Sequence, residues 1–313
     1  MDRYGYLFAG QGAQYAGMGK DLYESFRESK AVFDKADDVL KFPLSKLCFE
    51  GPIEELTRTG NCQPAILTVS IAAWEAFKHV TKHQILPGSF AAGLSLGEYS
   101  ALVFAQAVTF EDAVRLLRSR GEFMEEEAVK KPGKMLSIIG LDLEKIKEVC
   151  KTTGAEIANI NCPGQVVISG GMAEIKEAER LACEMGAKRS VLLEVSGAFH
   201  SSFMKNASVR LSEEISKINF SEPKIPVISN VTARPFSSVG EIRENLVKQV
   251  YSSVLWESSL QFMLSNNIRR FFELGPGRVL RGLMRYINNE AQVINIAKKQ
   301  DIFNFKMGGD DEA

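Results

Sequence analysis

Histidine is scarce. The 313 residues hold only three, His79, His83 and His200, so chemistry that needs an imidazole has little choice of residue. Cysteine offers no framework either. The five, Cys48, Cys62, Cys150, Cys162 and Cys183, are an odd number without a C-x-x-C pair, which argues against a disulfide scaffold or a zinc site. They read as reduced thiols, mostly buried as small hydrophobes. Charge of one sign is also missing: 38 Lys and Arg against 39 Asp and Glu give −1, and no basic surplus suggests a nucleic acid partner. No apolar run approaches the ~18 residues that would cross a membrane. Met1-Asp2-Arg3-Tyr4-Gly5 lacks the form of a signal peptide, which points to the cytoplasm. His79 and His83, four apart at the end of a helical pattern, have the spacing of a metal pair. No H-E-x-x-H accompanies them, and they read as cations near a helix C-terminus. An apolar content of 45% and a charged content of 25% suit an ordinary globular protein, long enough for one large domain or two smaller ones.

The most informative stretch is Phe90-Ala91-Ala92-Gly93-Leu94-Ser95-Leu96-Gly97-Glu98-Tyr99. It reads as a small-residue strand end, a sharp turn and a helix. Gly93-Leu94-Ser95-Leu96-Gly97 fits the G-x-S-x-G nucleophile elbow. A serine on so tight a turn needs neighbours two away that lack bulk. The helix behind it points free N–H groups toward developing negative charge. The same residues would also make a plain strand–turn–helix joint with an accidental serine.

Along the chain, residues 4–9 read as a first strand leading into Gly10-Gln11-Gly12-Ala13-Gln14. A dinucleotide fingerprint fails there, because Tyr15 stands where the third glycine belongs, and no Walker lysine follows. Residues 18–40 read as one helix and 64–80 as another, with Pro64 in its first turn. A helix over 96–105 follows the elbow. Thr109 caps the next one, with Asp112 as capping-box partner. Inside it stands Arg120-Gly121. A helical glycine costs about 1 kcal/mol against alanine, so its presence suggests a close approach. The alternative is an arginine paired with Glu125 or Glu126 on the surface.

Lys131-Pro132-Gly133 marks a boundary. Beyond it the expected order is strand 134–141, helix 143–152, strands 155–160 and 165–169, helix 173–185 and strand 188–195, the β-α-β-β-α-β order of a ferredoxin-like unit. The chain then continues through a helix to 218, a strand at 226–230, helices at 241–251 and 260–266, a strand at 270–274, a helix at 279–286 and a strand at 293–296. The expected fold is therefore α/β: a core of 1–130 and 196–307, a ferredoxin-like subdomain of 131–195 inserted in it, and a disordered tail of 308–313.

A serine nucleophile needs a base within reach. His200 is the histidine in a glycine-containing loop, and serine before histidine is the α/β-hydrolase order. A histidine that merely caps the helix starting near Ser201 is the other reading. Six stretches then occur in one order: Phe8-Ala9-Gly10-Gln11-Gly12-Ala13-Gln14, Gln63-Pro64-Ala65, Gly93-Leu94-Ser95-Leu96-Gly97-Glu98-Tyr99, Arg120-Gly121, Gly197-Ala198-Phe199-His200-Ser201 and Glu273-Leu274-Gly275-Pro276-Gly277. Together, over nearly the whole chain, they resemble the malonyl-CoA:acyl carrier protein transacylase family, the acyltransferases of fatty-acid and polyketide synthesis.

That resemblance implies an α/β-hydrolase-like core with a ferredoxin-like insert. It implies Ser95 as nucleophile, His200 as general base, the N–H groups of Gln11 and Leu96 as oxyanion hole, and Arg120 on the malonyl carboxylate. Phe199 would fill the space an α-methyl needs. A main-chain carbonyl would orient the histidine, and the matching stretch, Val254-Leu255-Trp256, puts it at Leu255. It further implies no bound cofactor or metal, malonyl-CoA and phosphopantetheinylated acyl carrier protein as substrates, ping-pong transfer through a malonyl-serine, and a cytoplasmic monomer. The departures are Leu94, where the family often has His, and Ser253 and Leu255, where it has Pro and Gln. A serine hydrolase that clears acyl groups from CoA or carrier proteins would use the same serine and histidine but has no need of Arg120. A non-catalytic carrier-protein-binding scaffold would need neither.

Overall fold

Tyr6, Leu7 and Phe8 are fully buried, so β1 (Tyr4–Phe8) is apolar on both faces, as a strand inside a parallel sheet must be. The computed structural model describes residues 3–308. Eight strands follow: β2 (Phe90–Gly93), β3 (Lys134–Ile139), β4 (Glu156–Cys162), β5 (Gln165–Gly170), β6 (Arg189–Leu192), β7 (Val227–Ile228), β8 (Arg270–Leu274) and β9 (Gln292–Ile296). They form two sheets. One is parallel throughout in the order β7-β2-β1-β8-β9, and the other is antiparallel in the order β4-β5-β3-β6. The fold is thus mixed α/β around a parallel sheet, and the second sheet is made from one continuous stretch of chain.

The helix Thr59–Thr81 is buried along most of its length and forms the middle of the core. It starts at Thr59 rather than at 64, which leaves Pro64 inside it. Proline has no N–H for the carbonyl one turn back. That carbonyl, of Gly60, accepts a hydrogen bond from Arg118 Nη1 at 3.3 Å instead. The neighbouring helix Phe110–Lys130 starts as expected, with Thr109 Oγ1 accepting the N–H of Asp112 at 3.1 Å. Gly121 explains how closely the two helices meet. A Cβ there would lie 2.5 Å from the Thr59 carbonyl oxygen and 2.7 Å from Gly60 Cα, so the close approach is made by backbone and not by a ligand.

The single helix expected over 18–40 is two, Lys20–Ser25 and Arg27–Leu40. Between them Phe26 takes extended backbone (φ −131°, ψ 122°) and turns its ring onto Phe303. Short helices at Leu44–Glu50 and Ile53–Thr57, and a last one at Lys299–Gly308, were not expected. The tail expected to be disordered begins at the final residue of that last helix, and 309–313 lie outside the described residues.

Of the two spaced histidines, His79 fits its expectation, half-exposed with Nδ1 3.1 Å from Glu28. His83 does not. Its Nε2 lies 2.8 Å from the Tyr6 hydroxyl among the rings of Tyr4, Trp74, Phe77 and Phe272, and burial pulls its pKa down to about 4. Among the described residues no His, Cys, Asp and Glu group is arranged to hold a metal, and the cysteines are free.

The antiparallel sheet is tied to the rest at the segment around residue 200. Ser169 Oγ, on β5, donates to the Phe199 carbonyl at 2.5 Å. The Glu156 carboxylate, on β4, accepts the Ser202 N–H at 3.0 Å. Val254 continues β4 at its other edge, through Val254 N–H to Ala158 O at 2.8 Å and Ile160 N–H to Val254 O at 2.9 Å.

Candidate active site

The elbow is built by steric necessity. Strand β2 ends on Gly93, and the next helix, Gly97–Phe104, leaves at once. A Cβ on Gly93 would sit 1.9 Å from the Gly97 carbonyl, and one on Gly97 would sit 2.3 Å from the Phe8 carbonyl oxygen. Ser95 between them is forced to φ 53°, in the left-handed region that disfavours a side chain. Asn230 holds the turn from both sides. Its Oδ1 accepts the Ser95 N–H at 2.7 Å and its Nδ2 donates to the Gly93 carbonyl at 2.7 Å.

His200 is likewise held at positive φ, 57°. Its Nε2 lies 2.8 Å from Ser95 Oγ and its Nδ1 lies 2.7 Å from the Gln249 carbonyl oxygen. A carbonyl only accepts, so the proton belongs on Nδ1 and Nε2 offers its lone pair to the serine hydroxyl. Burial, and then the nearby Arg120 charge, pull the pKa of His200 down to about 4, against the Gln249 and Ser252 carbonyls. The ring is held in its neutral form at neutral pH.

The orienting carbonyl is therefore that of Gln249, not of Leu255. The reason lies in helix ends. The helix Val239–Gln249 stops at Gln249, so its last carbonyl has no partner within the helix. The carbonyl of Leu255 is already taken, by the N–H of Ser259 at 3.0 Å and its Oγ at 2.8 Å, at the start of the helix Trp256–Ser265.

Arg120 is 1% exposed, which excludes the surface pairing. Glu125 accepts the Thr59 N–H at 2.6 Å, and Glu126 pairs with Arg210. The guanidinium points instead at Ser95: Nη1 donates to Gln63 Oε1 at 2.7 Å, and Nη2 donates to Gln249 Oε1 at 2.8 Å and Ser95 Oγ at 3.1 Å. Its Nε has no partner among the described residues. A buried cation is thus held directly by neutral amide oxygens, and no carboxylate is hydrogen-bonded to it among the described residues, although Glu98 lies within electrostatic reach.

These groups form the floor of a cleft of about 460 Å³. Gln11, Leu94 and Phe199 contribute to its walls. Ser95, His200, Arg120, Phe199 and Gln11, each singled out from sequence, converge here, and Leu96 is buried at the start of the helix behind them. Gln249 and Asn230 were missed. Neither stands in a motif, and the one signal for Gln249 was its place at the end of a helical pattern, where carbonyls are unpaired.

Comparison with known proteins agrees with this geometry. The acyl transferase domain family matches residues 5–276. The malonyl CoA-acyl carrier protein transacylase of Bacillus subtilis (strain 168) is 45% identical over 307 residues, 96% of this chain and 96% of that one. The acyl-carrier-protein-S-malonyltransferase from Bartonella henselae superposes with a TM-score of 0.92 at 37% identity, over 99% of this chain and 100% of that chain. PlMCAT, a malonyl-transacylase in complex with its type II PKS acyl-carrier protein AntF in the holo form, superposes at 0.94 with 36% identity, over 98% and 100%. With that identity along almost its full length, the chain belongs to the acyl transferase domain family, among the malonyl CoA-acyl carrier protein transacylases.

Proposed function

We propose that the chain transfers a malonyl group from malonyl-CoA to the phosphopantetheine thiol of an acyl carrier protein through a malonyl-Ser95 intermediate. The observation that carries the proposal is the buried Arg120 guanidinium, 3.1 Å from Ser95 Oγ and held by amide oxygens. A malonyl thioester carries a fixed carboxylate two bonds from its reacting carbonyl. Burying that charge unpaired is costly, and a planar two-point cation beside the nucleophile is a suitable partner. A hydrolase of simple acyl groups has no use for one.

The chemistry runs as two half-reactions. His200 Nε2 takes the Ser95 proton as Oγ attacks the thioester carbonyl. The oxyanion is received by the N–H groups of Leu96 and Gln11. Ser95's own N–H is committed to Asn230, which leaves Leu96, next in the chain and at the helix start, as the donor on that side. The tetrahedral intermediate collapses, the CoA sulfur leaves with the proton from His200, and malonyl-Ser95 remains. The carrier thiol then gives its proton to His200, attacks the ester and leaves as malonyl thioester, while Ser95 regains its proton. Phe199, almost fully buried in the cleft wall, fills the space an α-methyl would occupy. No cofactor or metal enters these steps.

The remaining parts of the reading concern architecture and setting. Residues 1–130 and 196–307 make an α/β-hydrolase-like core, supported by the parallel sheet and the strand–elbow–helix at Ser95. Residues 131–195 make an inserted ferredoxin-like subdomain, supported by the antiparallel order β4-β5-β3-β6 that a β-α-β-β-α-β chain produces. The enzyme works as a cytoplasmic monomer; among the described residues no helix is long and apolar enough to cross a membrane.

The test is a contrast between two acyl groups. Removing one partner of a buried charge pair typically costs about 2–5 kcal/mol, so Arg120→Ala should lose malonyl transfer by on the order of 10²–10³ or more. Acetyl transfer, which needs no carboxylate partner, should change little. Intact-mass detection of the acyl-enzyme, with Ser95→Ala as the blank that takes no adduct, measures both. Equal losses for malonyl and acetyl would make Arg120 structural. An adduct that turns over in water without a carrier protein would point to the hydrolase.

A further inference from the structure

Glu98 lies in the helix directly behind the nucleophile and is fully buried. Each of its oxygens receives one N–H. Oε1 accepts the backbone N–H of Asn230 at 2.8 Å, and Oε2 accepts Nε2–H of Gln249. Both donors reach onward to the reacting groups. Asn230 holds the Ser95 N–H and the Gly93 carbonyl. Gln249 makes three more contacts: Nε2 to the Ser95 carbonyl at 2.9 Å, Oε1 from Arg120 Nη2 at 2.8 Å, and its own carbonyl from His200 Nδ1 at 2.7 Å. Ser95, Arg120 and His200 are therefore each one residue removed from the same carboxylate.

We propose that Glu98 is a positioning residue for acyl transfer, whose carboxylate fixes the direction of the Gln249 amide and through it the places of Arg120 and His200. The reason is the donor and acceptor inventory. A guanidinium only donates and a carboxylate only accepts, so an amide between them has one satisfactory orientation, Oε1 toward Arg120 and Nε2 toward Glu98. With Gln at this position a single oxygen faces two donors, the Asn230 N–H and the Gln249 Nε2–H, and its NH₂ is turned on one of them. That contact is lost, and the residue it held, Asn230 behind Ser95 or Gln249 between Arg120 and His200, loses its anchor.

The charge environment supports the assignment. Burial pushes Glu98 up to about 8, opposed by the Asn230 N–H, the Gln249 amide and the Arg120 charge. The groups that act on this carboxyl are Tyr99, whose pKa burial raises, and the Arg120 guanidinium; neither changes charge near pH 8. Glu98 is left as the switchable charge beside the nucleophile.

The experiment rests on the acyl-serine reading and is made on the full chain: Glu98→Gln, with the acylation rate by malonyl-CoA followed by rapid quench and intact mass, and Tm measured in parallel. Displacement of a reacting group by about 1 Å can cost about 10²-fold, so the expected loss in acylation rate is about 10–100-fold in a variant that still melts cooperatively. The wild-type rate should rise severalfold as the pH passes through about 8, and this limb should be missing in the variant. Acylation at the wild-type rate, or an unchanged alkaline limb, would overturn the proposal. If Glu98→Gln does not fold, Glu98→Asp, which keeps the carboxylate but draws it back by one methylene, takes its place: acylation at the wild-type rate in that variant overturns the proposal. A wild-type protein that never takes the adduct would sink the acyl-serine reading itself, and this one with it. A normal adduct with an unaffected variant sinks this one alone.

Discussion

His200 and His83 are perturbed in the same direction for different purposes. Burial lowers both to about 4, one beside the serine and the other among aromatic rings against Tyr6. The sign of the consequence follows from proton counts. The unfolded chain takes up protons at these residues near pH 6.5, while the folded chain does not until about 4. Stability should therefore fall as the pH drops through that window. Glu98 acts oppositely, since its raised pKa makes the fold bind a proton the unfolded chain has lost, so its contribution declines as the pH rises toward 8. For His83 the expectation is specific. In His83→Gln the Tm deficit against wild type should shrink as the pH falls from 6.5 toward 4, because the variant has no imidazole to protonate. Melting curves across that range measure it, and a deficit independent of pH would show that His83 does not titrate there. Acylation should persist to lower pH than an ordinary histidine base would allow.

At the scale of elements, Gly121 states the strictest condition. Its helix meets the start of the helix Thr59–Thr81 so closely that a methyl group at this position would press on the Thr59 and Gly60 backbone. Overpacking against atoms that cannot rotate away costs typically about 1–3 kcal/mol, so Gly121→Ala should lower stability by that amount even though alanine is the better helix former. Chemical denaturation checks it; a more stable variant would mean the helices simply separate. Arg120 is the residue next to this contact, and the same tight packing carries it to the cleft floor. Gly121 signalled a close approach in the sequence, but what approached could not be read there. The pairing of Ser95 with His200 was legible because tight turns leave glycine signatures and because His200 had few rivals. Gln249 was not, because it works through a helix-end carbonyl and an amide, and neither imposes a pattern on its neighbours. The break at Phe26 was equally silent. There the Phe26 ring meets Phe303, far along the chain, and no local window contains that partner.

At the scale of the whole molecule the two sheets divide the work. The parallel sheet supplies the serine through β2, and the antiparallel sheet grips the segment that carries the histidine. Glu156 and Ser169 take hold of Ser202 and Phe199, one on each side of His200. Glu156→Ala frees one of those grips without opening the core. The expected result is slower acylation, about tenfold, at nearly unchanged Tm, since small displacements of a base are felt in rate before stability. Stopped-flow acylation with a parallel melt separates the two, and an unaltered rate would leave the antiparallel sheet as a wall of the cleft and nothing more.

The parallel sheet also sets a timetable. β1 lies between β2 and β8, and β8 is the neighbour that the chain makes last but one among the strands. On a ribosome adding roughly 5–20 residues each second, the interval between the synthesis of β1 and that of β8 is on the order of tens of seconds. For that time the central strand of the future core has one open edge and no second partner. A nascent chain of this design has to keep β1 from pairing elsewhere while it waits, and the cleft cannot close around Ser95 until Val279 and Leu283, beyond β8, have been made. Fast translation, or a chaperone that shelters the first strand, should therefore raise the yield of active enzyme more than it changes the enzyme itself.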